Sequence, residues 1–265
     1  MRLSLRSIAV VLCAVVFLSA ASATTYGYFV DSEQASGTIQ AADSFGGSSG
    51  QGPPNNKAYN DADNDGEFDE GESTYNKNEI ANFDDESVNL VIPSSINEVK
   101  KNGGVQITAN SITSETDITG RNGPVELNAK GGKITLQSST VKSTTGVVDI
   151  DSKDEIVLED TTIDSKNGDI NIESKTRLDF DGATITAQSD VRLISGGDIR
   201  LDGSTVHSKN GVREATLGSD QDTLYVEGTA ILEGQYNQGK PGILTYDPNG
   251  ATVIGTTDKG SVQSN

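Results

Sequence analysis

Residues 125–141 read VELNAKGGKITLQSSTV, 148–163 read VDIDSKDEIVLEDTTI, 170–185 read INIESKTRLDFDGATI and 191–206 read VRLISGGDIRLDGSTV. Placed under one another, the four stretches align in three apolar patches. The first is Val125/Leu127, Val148/Ile150, Ile170/Ile172 and Val191/Leu193. The second is Ile134/Leu136, Ile156/Leu158, Leu178/Phe180 and Ile199/Leu201, and the third is Val141, Ile163, Ile185 and Val206. The second patch recurs at spacings of 22, 22 and 21 residues. Alternation of one apolar and one other residue inside a patch marks a strand with one buried face. Three strands per repeat, separated by turns such as Asn122-Gly123, Gly131-Gly132, Asn167-Gly168 and Gly196-Gly197, describe one coil. Stacked coils pair each strand with its equivalents above and below.

Val105/Ile107, Ile112 and Ile118 form an earlier, shorter coil. Val212, Leu224/Val226 and Ile231 form a later one, with Leu217–Asp222 as an extra loop. In this register Val212 points inward and Arg213 outward. The expectation is therefore an all-β chain: a right-handed parallel β-helix of about six three-strand coils over residues 87–234, with handedness from the crossover rule. Residues 235–265, with Ile243–Tyr246 and Thr252–Ile254 around Asp247-Pro248-Asn249-Gly250, read as a C-terminal hairpin cap and polar tail. An antiparallel sandwich is the other architecture considered, and the fixed period disfavours it. In repeat style the body resembles secreted adhesin-type β-helices such as filamentous-haemagglutinin-like domains.

The rest of the chain is organised in blocks. Residues 1–23 form a signal peptide: Arg2 and Arg6, an apolar run from Ile8 to Leu18, and the small-x-small site Ala21-Ser22-Ala23. Cleavage after Ala23 would remove the single cysteine, Cys13. An exported chain without disulfides is held by packing or by bound ions. Residues 24–43 are β-prone, 44–57 are a Gly/Ser/Pro/Asn-rich linker, and 58–86 are acidic. No membrane span is expected after signal cleavage, so the localisation expected is secreted or cell-surface.

Ala23, Thr24, Tyr26, Tyr28, Phe29, Asp31, Glu33 and Gly37 follow the leader pattern A-T-x-Y-x-Y-F-x-D-x-E-x-x-S-G. This segment resembles the start of the TasA and camelysin biofilm-fibre proteins and of archaeal surface proteins carrying the same leader. The resemblance implies self-association through a donated strand, here Thr25–Val30. It also favours an archaeal source.

The chain carries 39 acidic and 20 basic residues, a net charge of −19. That balance excludes a nucleic-acid partner, since phosphate binding needs a basic surface. It suits either calcium binding or high salt, where self-repulsion is screened.

The sharpest local motif is Asp61-Ala62-Asp63-Asn64-Asp65-Gly66-Glu67-Phe68-Asp69-Glu70-Gly71-Glu72. It fits the calcium loop D-x-[DN]-x-[DN]-G-x5-E at every specified position. Asp61, Asp63 and Asp65 stand at positions 1, 3 and 5. Glu67 would offer its carbonyl, Asp69 a carboxylate or a bound water, and Glu72 a bidentate carboxylate to Ca²⁺. The flanks are not those of an EF-hand: 56–60 is no amphipathic helix, and only Tyr75–Phe83 suits a short one. A solitary structural site is expected.

Catalytic signals are sparse. His207 is the single histidine, placed in a surface turn, and no serine has a nucleophile-elbow context. The enzyme alternative is a β-helix polysaccharide lyase or hydrolase, with Asp149, Asp179, Arg192 and Arg200 lining a groove. Ladders of unlike charge account for the same residues through cross-strand pairing. The favoured expectation is a non-enzymatic surface fibre, surface-layer, biofilm-matrix or adhesin component, with a surface polysaccharide as a candidate partner.

Overall fold

The computed structural model describes residues 56–217, 223–234, 243–246, 252–259 and 261–264. The leader and the Thr25–Val30 segment lie outside them. Within the described residues the chain is a parallel β-solenoid, as the repeat predicts.

The turn from Val125 illustrates the construction. Strands β7 (Val125–Ala129), β8 (Ile134–Gln137) and β9 (Thr140–Ser143) form three sides. Val148 to Ser165 repeats them one level on, with Val148 opposite Val125, Ile156 opposite Ile134 and Ile163 opposite Val141, all parallel and in register. Six such turns run from Val105 to Gly234. Val125, Leu127, Ile134, Leu136 and Val141 have no exposed surface, and the equivalent aliphatics of the next three turns are equally enclosed. Alternation puts every second residue inside, and stacking then joins the inward residues into continuous columns. Burial of each such side chain contributes about 1.5–3 kcal/mol.

The corners need more than apolar residues, because backbone groups turn inward there and must find partners. Buried serines supply them. Ser165 Oγ donates to the Gly146 carbonyl one turn below (2.9 Å) and accepts from the Gly168 N–H of its own turn (3.1 Å). Ser143 and Ser208 repeat the arrangement at that corner. Ser152, Ser174 and Ser195 do the same at the corner after the first strand. At the third corner Ser138, Asp160, Gly182 and Gly203 all take left-handed φ values of 47°, 47°, 63° and 55°. At Gly168 a Cβ would sit 2.7 Å from the Gly146 carbonyl oxygen, so the stack admits no side chain there.

The ladder begins before Val105, inside the stretch read as the acidic segment. β3 (Asn82–Ile92) bends over two sides and pairs in parallel with β5 (Val105–Ser114); β4 (Glu98–Asn102) pairs with β6 (Asp117–Arg121). Two short strands precede them, β1 (Lys57–Asn60) and β2 (Thr74–Asn76). They form an antiparallel hairpin, and β1 adds antiparallel to β3 through Tyr59 opposite Val91 and Asn60 opposite Leu90. A four-residue helix, α1 (Lys77–Ile80), follows, opened by the Asn76 N–H donating to Glu79 Oε2 (2.6 Å). Ile80 and Ile96 are buried with the core. The helix is shorter than the Tyr75–Phe83 span allowed, because Asn82 already enters the ladder.

Three expectations fail at the other end. Arg213 lies opposite Val191 and is buried, at 6% exposure, while Val212 is 44% exposed. The repeat lengthens from 21 to 22 residues here, so parity passes to Arg213, Ala215 and Leu217; one residue of slip exchanges the two faces. Burial pushes the Arg213 guanidinium pKa down. Ile243–Tyr246 and Thr252–Lys259 are not the arms of a hairpin: each continues the parallel ladder, onto Arg213–Thr216 and Thr223–Gly234 respectively. His207 lies in strand Thr205–Ser208, opposite Thr186, and not in a turn.

Candidate metal site

The acidic loop hangs between β1 and β2, and the Asn60 N–H closes its neck on the Ser73 carbonyl (2.9 Å). Left-handed φ values at Asn64 (62°) and Gly66 (82°) fold the first half back on itself. Asp61 is buried, at 7% exposure. Its Oδ1 accepts from the Asp65 N–H and its Oδ2 from the Gly66 N–H, both at 3.1 Å. Asp65 Oδ1 in turn accepts from the Glu67 N–H (2.8 Å). Burial pushes the Asp61 carboxyl pKa up against the opposing pull of those backbone donors, and the Glu72 charge adds to the rise.

Asp61, Asp63 and Asp65 each present a carboxylate oxygen within 4.8 Å of the others, with Asp63 and Asp65 exposed. Three carboxylates at this range repel unless a cation lies between them. An all-oxygen set at alternate positions of a tight loop suits a hard divalent ion such as Ca²⁺. Glu67, Asp69 and Glu72 are outside that cluster. Glu72 instead straps the loop: its Oε1 accepts from the Ala62 N–H (2.7 Å) and its Oε2 from the Asp69 N–H (3.0 Å). The structure thus brings together three of the six residues read as ligands and gives a fourth a fastening role.

Tyr59 and Phe68 support the loop from behind, ring edge to ring face at 5.5 Å and 76°. The Tyr59 hydroxyl donates to the Gly66 carbonyl (2.9 Å). Burial, and after it the charges of Asp61, Glu72 and Asp65, push its pKa up to about 12. The phenol therefore stays a neutral donor at any physiological pH.

Asn89 on β3 fixes the loop to the solenoid, and the sequence motif does not include it. The Asp61 N–H donates to the Asn89 carbonyl (2.8 Å), and Asn89 Nδ2 donates to the Asp61 carbonyl (3.1 Å). Asn89 Oδ1 accepts from Asn110 Nδ2 (2.7 Å) and Ser111 Oγ (3.0 Å) one turn on. The signal available in sequence is the 21-residue spacing of Asn89 and Asn110, equal to a repeat.

The four residues considered for a polysaccharide-cleaving groove divide between two sides. Asp149 and Arg192 belong to the first side, where Arg192 meets Asp190 (2.5 Å) and Glu214 (3.6 Å). Asp179 and Arg200 belong to the second, in a cleft of about 370 Å³ shared with Arg177, Asp198 and Tyr225. They do not form one constellation.

No family model, no curated protein and no solved structure matches this chain. Fold and site together define a parallel β-solenoid whose first turn is edged by a hairpin bearing an acidic, cation-suited loop. Among the described residues no helix is long and apolar enough to cross a membrane.

Proposed function

We propose that this protein is a non-enzymatic, secreted structural component of a cell surface or extracellular matrix, with a structural Ca²⁺ in the 61–72 loop. The observation that carries the reading is the attachment of the loop. The strand leading into it, β1, is also the strand laid on the outer edge of β3. A cation drawing Asp61, Asp63 and Asp65 together would therefore hold the cover over a sheet edge that is otherwise open to pairing with other chains. The leader pattern around Ala23–Gly37, with its likeness to biofilm-fibre and archaeal surface proteins, supports export and a place at the surface. The adhesin-like repeat style supports a matrix or adhesive role, with glycans as surroundings.

Calorimetry in low-salt buffer tests the cation. One Ca²⁺ should bind per chain, and Asp61→Ala should abolish the heat, while Asp84→Ala, an acidic change outside the loop, should leave it intact. Hydrogen exchange should slow in 57–92 on addition of Ca²⁺ and stay unchanged in 125–208. No heat from the native chain, or protection spread evenly over the whole body, would remove the structural-cation reading.

A further inference from the structure

We infer that the groove between the acidic loop and the second side of the solenoid binds a neutral, polyhydroxylated glycan. The inference rests on the surface-protein reading only for where such a ligand is met. The groove has a volume of about 640 Å³. Its floor is the outward ladder Val91, Thr113 and Thr135 on successive rungs, and one wall is Asp61 and Asn64–Gly66. It reaches from Asn89 in the first turn to Asp154 in the fourth, about 14 Å at the usual ~4.8 Å rung spacing. That is room for a short run of sugar rings.

The lining chemistry sets the ligand class. Asn64, Asn110, Ser111, Thr113, Thr135 and Gln137 bring amides and hydroxyls together in one groove. Amides and hydroxyls both donate and accept, as sugar hydroxyls do. Asp154 adds a carboxylate acceptor at the far end, and carboxylates bind O–H groups strongly. Lys133 is the one cationic side chain among the described lining residues, and even with a Ca²⁺ offsetting Asp61 and Asp65 the field of a chain of net charge −19 repels a polyanion. A neutral chain meets none.

Thr135 is a separate pointer to a ligand. It occupies the outward position of its strand, between the inward Ile134 and Leu136, yet it is only 8% exposed, and its Oγ1 has no hydrogen-bond partner. An unmet buried hydroxyl costs about 1–3 kcal/mol. Rotation of this side chain toward the groove offers the hydroxyl to a bound sugar.

The test is a titration of the ¹⁵N-labelled full chain with neutral β-glucan and α-mannan oligosaccharides, with polygalacturonate as the anionic comparison. Amide shifts are expected at 61–66, 110–113 and 132–137 with at least one neutral oligosaccharide. Thr113→Tyr, which fills the floor without touching the core, should abolish them. Thr135→Val should weaken binding roughly threefold or more while leaving the melting temperature equal or higher. Thr186→Tyr, outward on the third side, should change nothing. Absence of groove shifts with every neutral oligosaccharide, preference for polygalacturonate, or unchanged binding in Thr113→Tyr would each overturn the inference. Ca²⁺ calorimetry on Thr113→Tyr keeps the two readings apart, since a failed glycan titration leaves the cation heat in place.

Discussion

The hairpin at 57–76 and the repeat body at 125–208 are both β-structure, and they are held by different forces. In the body, five apolar side chains per turn lie at zero exposure, and corner serines such as Ser165 are satisfied by the turn below and by their own turn. Its cohesion is apolar and repeated, so it does not depend on any one ion. In the hairpin, Ala58 and Tyr59 are buried, but most of the loop is exposed. What shapes it is a set of carboxylate-to-backbone hydrogen bonds from Asp61, Asp65 and Glu72. Carboxylates so used repel one another, and a counter-ion changes that balance directly. The same fold element can therefore be permanent in one place and ion-sensitive in another.

The strongest challenge to this contrast is a charge in the column. Phe180 has no exposed surface, and Phe180→Asp places an unpaired carboxylate there at a cost of several kcal/mol. Whole domains have about 5–15 kcal/mol in hand, so circular dichroism should show the body unfolded or melting far lower. Arg192→Ala on the outward ladder should shift the melt by only a degree or two, because exposed ion pairs contribute about 0–1 kcal/mol. A folded Phe180→Asp with a normal melt would show that the faces are wrongly assigned.

A smaller effect is expected where the two regions join. Asn89→Ala deletes the side-chain bonds to the Asp61 carbonyl, Asn110 and Ser111, worth about 1–3 kcal/mol together once the orphaned groups are counted. Amide exchange should quicken across 57–76 and leave 148–208 as before. If the far turns quickened equally, hairpin and body would be one cooperative unit and the contrast would fall.

The smallest effect concerns acidity on the first side. Asp149 is crowded by its ladder, and Glu126, Asp151 and Glu173 surround it with like charge; desolvation first, then those charges, raise its carboxyl pKa. A raised carboxyl pKa makes the ionised form a cost to the folded state. That cost appears as pH climbs past the ordinary carboxylate value of about 4 and is absent in stronger acid. Asp149→Asn should therefore melt slightly higher than the native chain at pH 7, with the gap closing as pH falls below about 4. Thermal melts over pH 3–8 check it; a gap that widens in acid would reverse the sign.

Most of the body was legible because a solenoid repeats its own constraints. The alternation at Val148/Ile150 and the 22-residue return to Ile170/Ile172 state the same burial twice, so the faces of four turns follow from pattern alone. At Val212 and Arg213 the pattern offered two registers one residue apart, and the more hydrophobic residue was the natural but mistaken choice for the interior. Ala215 and Leu217, both buried, carry the parity that prevails. The hairpin expected around Asp247–Gly250 failed for a related reason: turn residues mark a reversal or a corner equally well, and the coil below takes the strands as parallel neighbours.

The acidic loop shows the same division at the scale of a site. Local spacing was enough to identify Asp61, Asp63 and Asp65 as a group around the Gly66 turn, since all of them lie within a few residues of chain. Which backbone partner each carboxylate takes was not in the spacing: Glu72 accepts from the Ala62 and Asp69 N–H groups and so fastens the loop. Asn89 lies 28 residues from Asp61, and the pairing of β1 on β3 joins segments with no shared motif. Periodic burial and short-range turn chemistry are written residue by residue along the chain. The edge that β1 covers, the groove beside it and the slip at Arg213 come from contacts between distant segments, which exist only once the turns have stacked.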